Sequence, residues 1–134
     1  MNILLLFIQL IHLINDLFAS FYVFIFYWTK KYDLYFIIYV TLINLHWYML
    51  KNECILSYFE KILINKNYKL GDNPYYHPFE IYLPKSFVNL KVYFKILQIF
   101  IIFFRNSDNY IILSFILIFI IIKLIHYIFY ENHS

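Results

Sequence analysis

The sequence predicts an all-α fold: a multi-pass membrane helical bundle with four transmembrane helices and an amphipathic extension after the second. Composition is the first indication, because 63% of the 134 residues are hydrophobic and only 14% are charged, against about half and about a quarter in soluble domains. A soluble domain of this size could not bury so much apolar surface. The apolar residues are also clustered into four segments. A single membrane domain covering residues 1–134 is therefore expected.

The four apolar segments cover residues 3–28, 34–50, 84–104 and 109–130. The first contains no Lys or Arg and, at about 1.5 Å per residue, reaches roughly 39 Å, which is enough to cross a bilayer. It has neither a basic n-region nor a small-residue cleavage site, so we expect a retained helix instead of a cleaved signal peptide.

The connections between these segments differ in length and composition. Residues 29–33 and 105–109 form short polar turns, and Ser107 or Asp108 is available as the N-cap of the last helix. After the second span, the helical pattern continues to residue 64 as an amphipathic extension. Residues 65–83, which include Gly71, then read as a loop. Pro84 suits the first turn of the third helix.

Polar residues within the predicted spans are the main functional signal, because each is costly in lipid unless it is paired or hydrated. When alternate helices run in opposite directions, these residues fall in the half of the bilayer that lies on the side of the termini. They form one candidate pocket, which consists of His12, Asp16, Asn44, His46, Glu53, Lys95, Lys123 and His126. The opposite half is almost wholly apolar, which argues against a constitutive channel.

The same residues also have structural interpretations. His12 and Asp16 are one turn apart and spaced to touch; as a buried pair they would fix the first helix against Lys123 or Lys95. Lys91 and Lys95 could reach the headgroups by snorkelling.

The second segment and its extension carry a polar stripe. His46, Glu53 and Glu60 lie at heptad spacing, and on one continuous helix this stripe would extend about 21 Å. Its ends are too far apart to share a metal ion, so it is better interpreted as the wet face of an extension at the membrane surface.

No metal, cofactor or catalytic residue is predicted, since the chain has no HExxH, CxxC or glycine-rich phosphate loop. Three histidines on three helices at similar depth (His12, His46 and His126) leave a membrane enzyme or cofactor-binding bundle open as an alternative. Cys54 is the only cysteine, which excludes an intrachain disulfide. Its position beside a predicted span makes it a candidate for lipidation by S-palmitoylation. On a continuous helix it would lie about 12 Å from His46, too far for a nucleophile and its base.

Two short stretches, one beginning at Cys54 and one before the third helix, form recognisable motifs. The residues from Cys54 to Glu60 read Cys-Ile-Leu-Ser-Tyr-Phe-Glu, and Phe79, Tyr82, Leu83 and Pro84 precede the third helix. Together they resemble an uncharacterised family of small four-helix membrane proteins with a Cys-x-Leu-x-x-apolar-Glu segment after the second span. The chain departs from that family at Ile55, where the family has Pro, and at Glu53, since the family has Trp shortly before the Cys. The resemblance implies four helices and no particular chemistry.

The distribution of Lys and Arg near the span ends favours an integral membrane protein with both termini in the cytoplasm. The expected function is structural or accessory and non-enzymatic: the polar pocket would fix packing or bind a partner or a lipid headgroup. The alternative is a proton or ion translocator that uses His12 and Asp16. The expected partners are the lipid bilayer and either another protein or a second copy of the chain. Nucleic acid is not expected, because the net charge is only +3 and the basic residues have no stacking platform.

Overall fold

The computed structural model describes residues 2–74 and 76–133, with side chains up to Ile128, and throughout this range it contains helices and no strands. The helices are α1 (Ile3–Ile25), α2 (Asp33–Met49), α3 (Ile55–Ile64), α4 (Lys85–Arg105) and α5 (Tyr110–His133). A short 3₁₀ helix, Pro78–Tyr82, precedes α4. The all-α prediction is confirmed for the described residues.

The helix α1 lies beside α4, and the two run in the same direction. Near the start of α1, Gln9 accepts a hydrogen bond from Tyr82 Oη at 3.2 Å, just before α4 begins. At the other end, the Arg105 guanidinium is 3.5 Å from the Phe26 carbonyl oxygen.

The helix α2 lies beside α5 in the same way. Asp33 at the start of α2 contacts Asn106, shortly before α5, and Trp47 near the end of α2 contacts Lys123. The ends of α1 and α4 and the beginnings of α2 and α5 therefore meet at one end of the bundle, which we call the turn end. The helices α3 and 3₁₀ pack against α1 towards the opposite end, which we call the terminal end.

The apolar core lies in the half of the bundle near the turn end, where α1, α2, α4 and α5 all contribute to it. Its buried members are Tyr22, Val23, Phe36, Ile37, Val40, Ile102, Ile112 and Ile116. Tyr22 stacks on Phe36 with ring centroids 4.2 Å apart. Many other large apolar side chains of these helices are exposed, which is the surface that lipid would cover.

Three helices in the described part of the chain are long and apolar enough to cross a membrane, namely α1, α4 and α5. The prediction of four spans is wrong by this measure. The second segment does form a helix, but α2 has 17 residues and reaches only about 26 Å, short of the roughly 30 Å hydrocarbon core.

The predicted helical extension from the second span to residue 64 is also wrong, because the chain breaks between α2 and α3. Lys51 and Asn52 have left-handed backbone angles, with φ of 55° and 67°. A right-handed helix cannot pass through this conformation, so α3 turns back against α1. His46 and Glu60 consequently lie on separate helices, and the predicted continuous stripe does not exist.

The remaining boundaries agree with the sequence pattern to within a few residues. Pro84 is the N-cap of α4 instead of its first residue, and the predicted loop 65–83 contains the 3₁₀ helix. The predicted N-cap of α5 was Ser107 or Asp108, but the residue that acts as cap is Asn109. Its side-chain oxygen accepts hydrogen bonds from two backbone N–H groups in the first turn of α5, at 3.1 and 3.3 Å.

Candidate functional site

At the terminal end, a thiol, an imidazole and a carboxylate are arranged in series. Cys54 Sγ lies 3.7 Å from His12 Nε2, and His12 Nδ1 lies 3.1 Å from Glu60 Oε2. We call these three residues the thiol cluster, and all of them are buried. The imidazole uses one nitrogen towards the thiol and the other towards the carboxylate. A nucleophile, its base and a group that orients the base have the same relationship.

The break after α2 creates this arrangement. Cys54 is the N-cap of α3, and the first N–H of that helix, on Ile55, donates to His46 Nε2 at 2.9 Å. His46 therefore anchors the start of α3 to the last turn of α2. The predicted separation of about 12 Å between His46 and Cys54 holds only for one continuous helix, which the break removes. In the folded chain the imidazole beside the thiol belongs to His12.

Cys54 lies outside the three candidate spans, and several groups act on its ionisation. Burial alone would raise the pKa of the thiol. The hydrogen bond to His12 and the charge of that imidazole act in the opposite direction, as do the backbone N–H groups of Ser57 and Leu56. Together they hold the pKa of Cys54 below its ordinary value.

A second hydroxyl–imidazole pair adjoins the thiol cluster. Ser57 Oγ is 2.7 Å from His77 Nδ1, and the His77 ring meets the His12 ring edge-on at a centroid distance of 5.9 Å. Burial, followed by the charges of His12 and Lys61, lowers the pKa of His77 to about 4. His77 is therefore a neutral imidazole near pH 7.

Asp16 belongs to a different cluster, which joins α1 to α4. Lys91 Nζ donates to Asp16 Oδ2, and Lys95 Nζ donates to Oδ1 at 2.9 Å. Lys91 also lies 3.6 Å from Glu80 in the 3₁₀ helix. The predicted contact between His12 and Asp16 within α1 is thus replaced by two contacts between helices, because α3 supplies the partner of His12 and α4 supplies those of Asp16.

The lysines of this cluster differ in exposure. The Lys91 side chain is 4% exposed and that of Lys95 is 38% exposed. The snorkelling interpretation is wrong for Lys91, since its ammonium group is held inside by Asp16. Of the two lysines predicted to hold the first helix, Lys95 forms the ion pair with Asp16, without the predicted His12–Asp16 pair.

Glu53 connects the long loop to α3. Its buried carboxylate accepts hydrogen bonds from Lys61 Nζ at 2.7 Å, from the Tyr68 hydroxyl and from the Gly71 N–H at 2.8 Å. Burial would raise the pKa of Glu53, but the hydrogen bonds from Lys61, Tyr68 and Gly71 hold it below the ordinary value. The carboxylate is an anchor for the loop.

The other predicted pocket residues make contacts of their own on α2 and α5. Asn44 Nδ2 donates to the Val40 carbonyl one turn earlier, at 2.7 Å. Lys123 Nζ lies 5.4 Å from the centre of the Trp47 ring, within reach of a cation–π interaction. His126 Nε2 is buried and has no hydrogen-bond partner among the described residues. The structure therefore distributes the eight predicted residues over several separate contacts.

The turn end holds a buried polar cluster that the sequence pattern does not indicate. Asp33 accepts hydrogen bonds from Arg105, from Tyr22 Oη at 3.0 Å and from Asn106 Nδ2 at 2.7 Å. The sequence gives one indication of this cluster: Asp33 and Arg105 flank the two short connections, which lie at the same end of the predicted bundle. We call these four residues the aspartate cluster.

Ser57 and His77 are not predicted as site residues, and Glu60 is predicted only as part of the polar stripe at the membrane surface. For Ser57 and Glu60 the sequence does contain an indication, because polar residues recur every third position after Cys54 between apolar neighbours. If this stretch is interpreted as a separate helix that packs inward, and not as an extension at the surface, Ser57 and Glu60 are expected in the interior.

Among the described residues, no group of three or more His, Cys, Asp or Glu side chains is placed to hold a metal ion. His12, His46 and His126 thus do not form the metal site that their similar depth left open. Compared with models of protein families, with curated proteins and with solved structures, the chain matches none of them.

Proposed function

We propose that the chain is a small multi-pass integral membrane protein with a structural or accessory role, in which buried charges determine how the helices pack. The environment of Asp16 carries this proposal, because both of its carboxylate oxygens are bonded by lysines of α4. A carboxylate within an apolar helix is costly unless it is paired. Here the same chain supplies the partners, so the pairs specify which helices lie side by side.

A role in translocation has less support from the contacts. A proton or ion that started at His12 or Asp16 would have to cross the half of the bundle near the turn end. The interior there is a packed apolar core, with Ile37 and Ile102 fully buried. The polar groups of the turn end are those of the aspartate cluster, which hydrogen-bond to one another. They and the polar groups of the terminal end therefore do not form a continuous path through the apolar core.

The proposed orientation places both termini in the cytoplasm, with the lipid bilayer and a protein partner or second copy as partners. In the bundle α1 begins and α5 ends away from the turn end, which is compatible with both termini lying on one side. The Lys and Arg residues near the span ends favour the cytoplasm for that side.

The experiment compares variants of the two lysines that bind Asp16, purified in detergent and reconstituted in liposomes. Lys91→Met should lower the free energy of unfolding by about 3 kcal/mol, because it leaves the largely enclosed Asp16 carboxylate, 13% exposed, with one partner fewer. Lys95→Met should cost less, since that side chain is partly exposed. Lys85→Met, at an exposed position of the same helix, is the matched control and should have little effect.

The same liposomes distinguish packing from translocation when they contain a trapped pH-sensitive dye. With a packing role, the wild-type protein gives no proton flux above that of empty liposomes, and Asp16→Asn lowers stability. The proposal is contradicted if the wild type carries protons and Asp16→Asn abolishes the flux while the protein still assembles.

A further inference from the structure

The thiol cluster has spare hydrogen-bonding capacity that a packing role does not require. Glu60 is fully buried, yet its Oε1 has no hydrogen-bond partner among the described residues. Buried polar groups that serve only stability are normally satisfied.

We propose that Cys54 is the nucleophile of an acyl-transfer site, with His12 as its base, Glu60 as the residue that positions His12, and a fatty acyl thioester or ester as the substrate. This proposal goes beyond the packing role and does not depend on it, since none of the three residues belongs to the Asp16 pairs.

The geometry meets the requirements of a thiol nucleophile. His12 Nε2, at 3.7 Å from Cys54 Sγ, is placed to take the thiol proton, while Glu60 holds the other ring nitrogen. Cys54 is the N-cap residue of α3, and the backbone N–H groups of Ser57 and Leu56 in the first turn favour a thiolate there.

The reaction would proceed in one balanced exchange. His12 takes the Cys54 proton, and the thiolate sulfur attacks the carbonyl carbon of the acyl donor. A new carbon–sulfur bond forms as the bond between that carbon and the donor's sulfur or oxygen breaks. The proton held by His12 passes to the leaving thiol or alcohol. Cys54 is left as a thioester, with no change in oxidation state.

A fatty acyl group is the substrate class that the surroundings favour. Next to Glu60 on α3, the apolar side chain of Phe59 is exposed. The Phe79 ring lies 4.1 Å from the His12 ring and covers it with another apolar surface. An acyl chain packed against α3 beside Phe59 reaches Cys54 when Phe79 moves aside.

The neighbouring Ser57 is the less suitable nucleophile and therefore serves as the internal control. Its partner His77 has no carboxylate behind it among the described contacts. Besides His12, the charged groups that act on the adjoining His77 are Asp16 on α1, Lys61 on α3 and Lys91 on α4, and Tyr39 on α2 interacts with Cys54. Each remains unchanged in the variants of Cys54, His12 and Glu60.

The test uses the full chain in phospholipid vesicles and an alkynyl fatty acyl thioester in solution. Labelled protein is denatured, coupled to a fluorophore and treated with hydroxylamine, which cleaves thioesters. Wild-type protein should acquire a hydroxylamine-sensitive label, and Cys54→Ala should acquire none. Vesicles made with an alkynyl phospholipid as the sole donor show whether the acyl group comes from a lipid ester instead.

Two further variants test the assigned roles. His12→Gln should slow acylation by about 100-fold or more, as expected for loss of a general base. Glu60→Gln should slow it less and should also alter the pH profile of the rate, which a merely structural carboxylate would not do. Ser57→Ala should be labelled like the wild type. Thermal unfolding of each variant separates slow chemistry from failure to fold.

Several results would overturn the proposal. One is a folded wild-type protein that takes no label from either donor. Another is label that survives in Cys54→Ala. A third is the loss of label in folded Ser57→Ala. Unchanged rates and pH profiles in folded His12→Gln and Glu60→Gln would show that Cys54 reacts without the cluster and would remove the triad.

Discussion

The aspartate cluster at the turn end and the thiol cluster at the terminal end each hold a buried carboxylate, but they differ in how fully it is hydrogen-bonded. At the turn end, both oxygens of Asp33 accept hydrogen bonds, from Arg105, Tyr22 and Asn106. At the terminal end, Glu60 uses one oxygen for His12 and leaves the other without a described partner. The first carboxylate is an element of structure, and the second has capacity for an additional interaction.

The neighbours of the two carboxylates differ in the same sense. Asp33 binds a guanidinium, a phenol and an amide, none of which is a nucleophile near neutral pH. Glu60 binds an imidazole that in turn contacts a thiol. Both clusters are buried and both are polar. What distinguishes them is whether all the hydrogen-bonding capacity of the carboxylate is used.

The largest effect should follow from breaking the saturated cluster. Arg105→Met leaves Asp33 buried without its cation, and removal of one partner from a buried pair costs about 3–5 kcal/mol. The free energy of unfolding, measured in mixed micelles of mild detergent and dodecyl sulfate, should fall by that amount. The rate of Cys54 acylation in the protein that remains folded should not change.

A surface pair at the same end provides the control for this prediction. Lys30 lies 3.9 Å from Asp108, with side chains 55% and 81% exposed. Lys30→Met should therefore change stability by less than about 1 kcal/mol. Equal losses for Arg105→Met and Lys30→Met would mean that the aspartate cluster does not hold the turn end together.

A smaller effect is expected in the loop that closes the terminal end. Gly71 has φ of 89°, and an added Cβ would lie 3.1 Å from Lys51 Cδ and 3.2 Å from Lys51 Cβ. Gly71→Ala should cost about 1–2 kcal/mol, the usual penalty for a side chain in left-handed backbone. It should also weaken the hydrogen bond from the Gly71 N–H to Glu53.

Limited proteolysis of the loop, together with thermal unfolding, measures this loss. Lys66→Ala, at an exposed position of the same loop, is the matched control. If both variants are cleaved at the wild-type rate, the contact between the loop and Glu53 does not contribute to the order of the terminal end.

The two ends also differ in how much of them can be predicted from the sequence. The helices α1, α4 and α5 follow from long apolar runs, which are local features. The break before α3 does not, because it depends on contacts formed in the fold: the Asn52 N–H donates to the Trp47 carbonyl at 2.8 Å, and His46 receives the first N–H of α3.

The polar partners are harder to predict for the same reason. Asp16 is recognisable as a buried charge from its position in α1, but its choice of Lys91 over His12 depends on α4 lying parallel to α1. Glu60 could not be placed beside His12 while it was assigned to an extension of α2. The resemblance to a family of four-helix membrane proteins stays a prediction.

The smallest predicted effect is on the pH dependence of stability, and it comes from His77 at the terminal end. Burial lowers the pKa of His77 to about 4, whereas in the unfolded chain it is about 6.5. Between these values the unfolded state binds a proton at His77 and the folded state does not. The stability that comes from keeping His77 neutral is therefore present above pH 6.5 and is lost progressively as the pH falls towards 4.

His77→Gln removes this titration while keeping a side chain that can bond Ser57. Thermal unfolding of both proteins between pH 4 and 7 should give a shallower decrease for the variant, and the difference between the two curves isolates His77 from the other acids and bases. Parallel curves would show that His77 titrates alike in the folded and unfolded states. In that case its imidazole would not be buried against the thiol cluster, and the terminal end would be more open than the turn end.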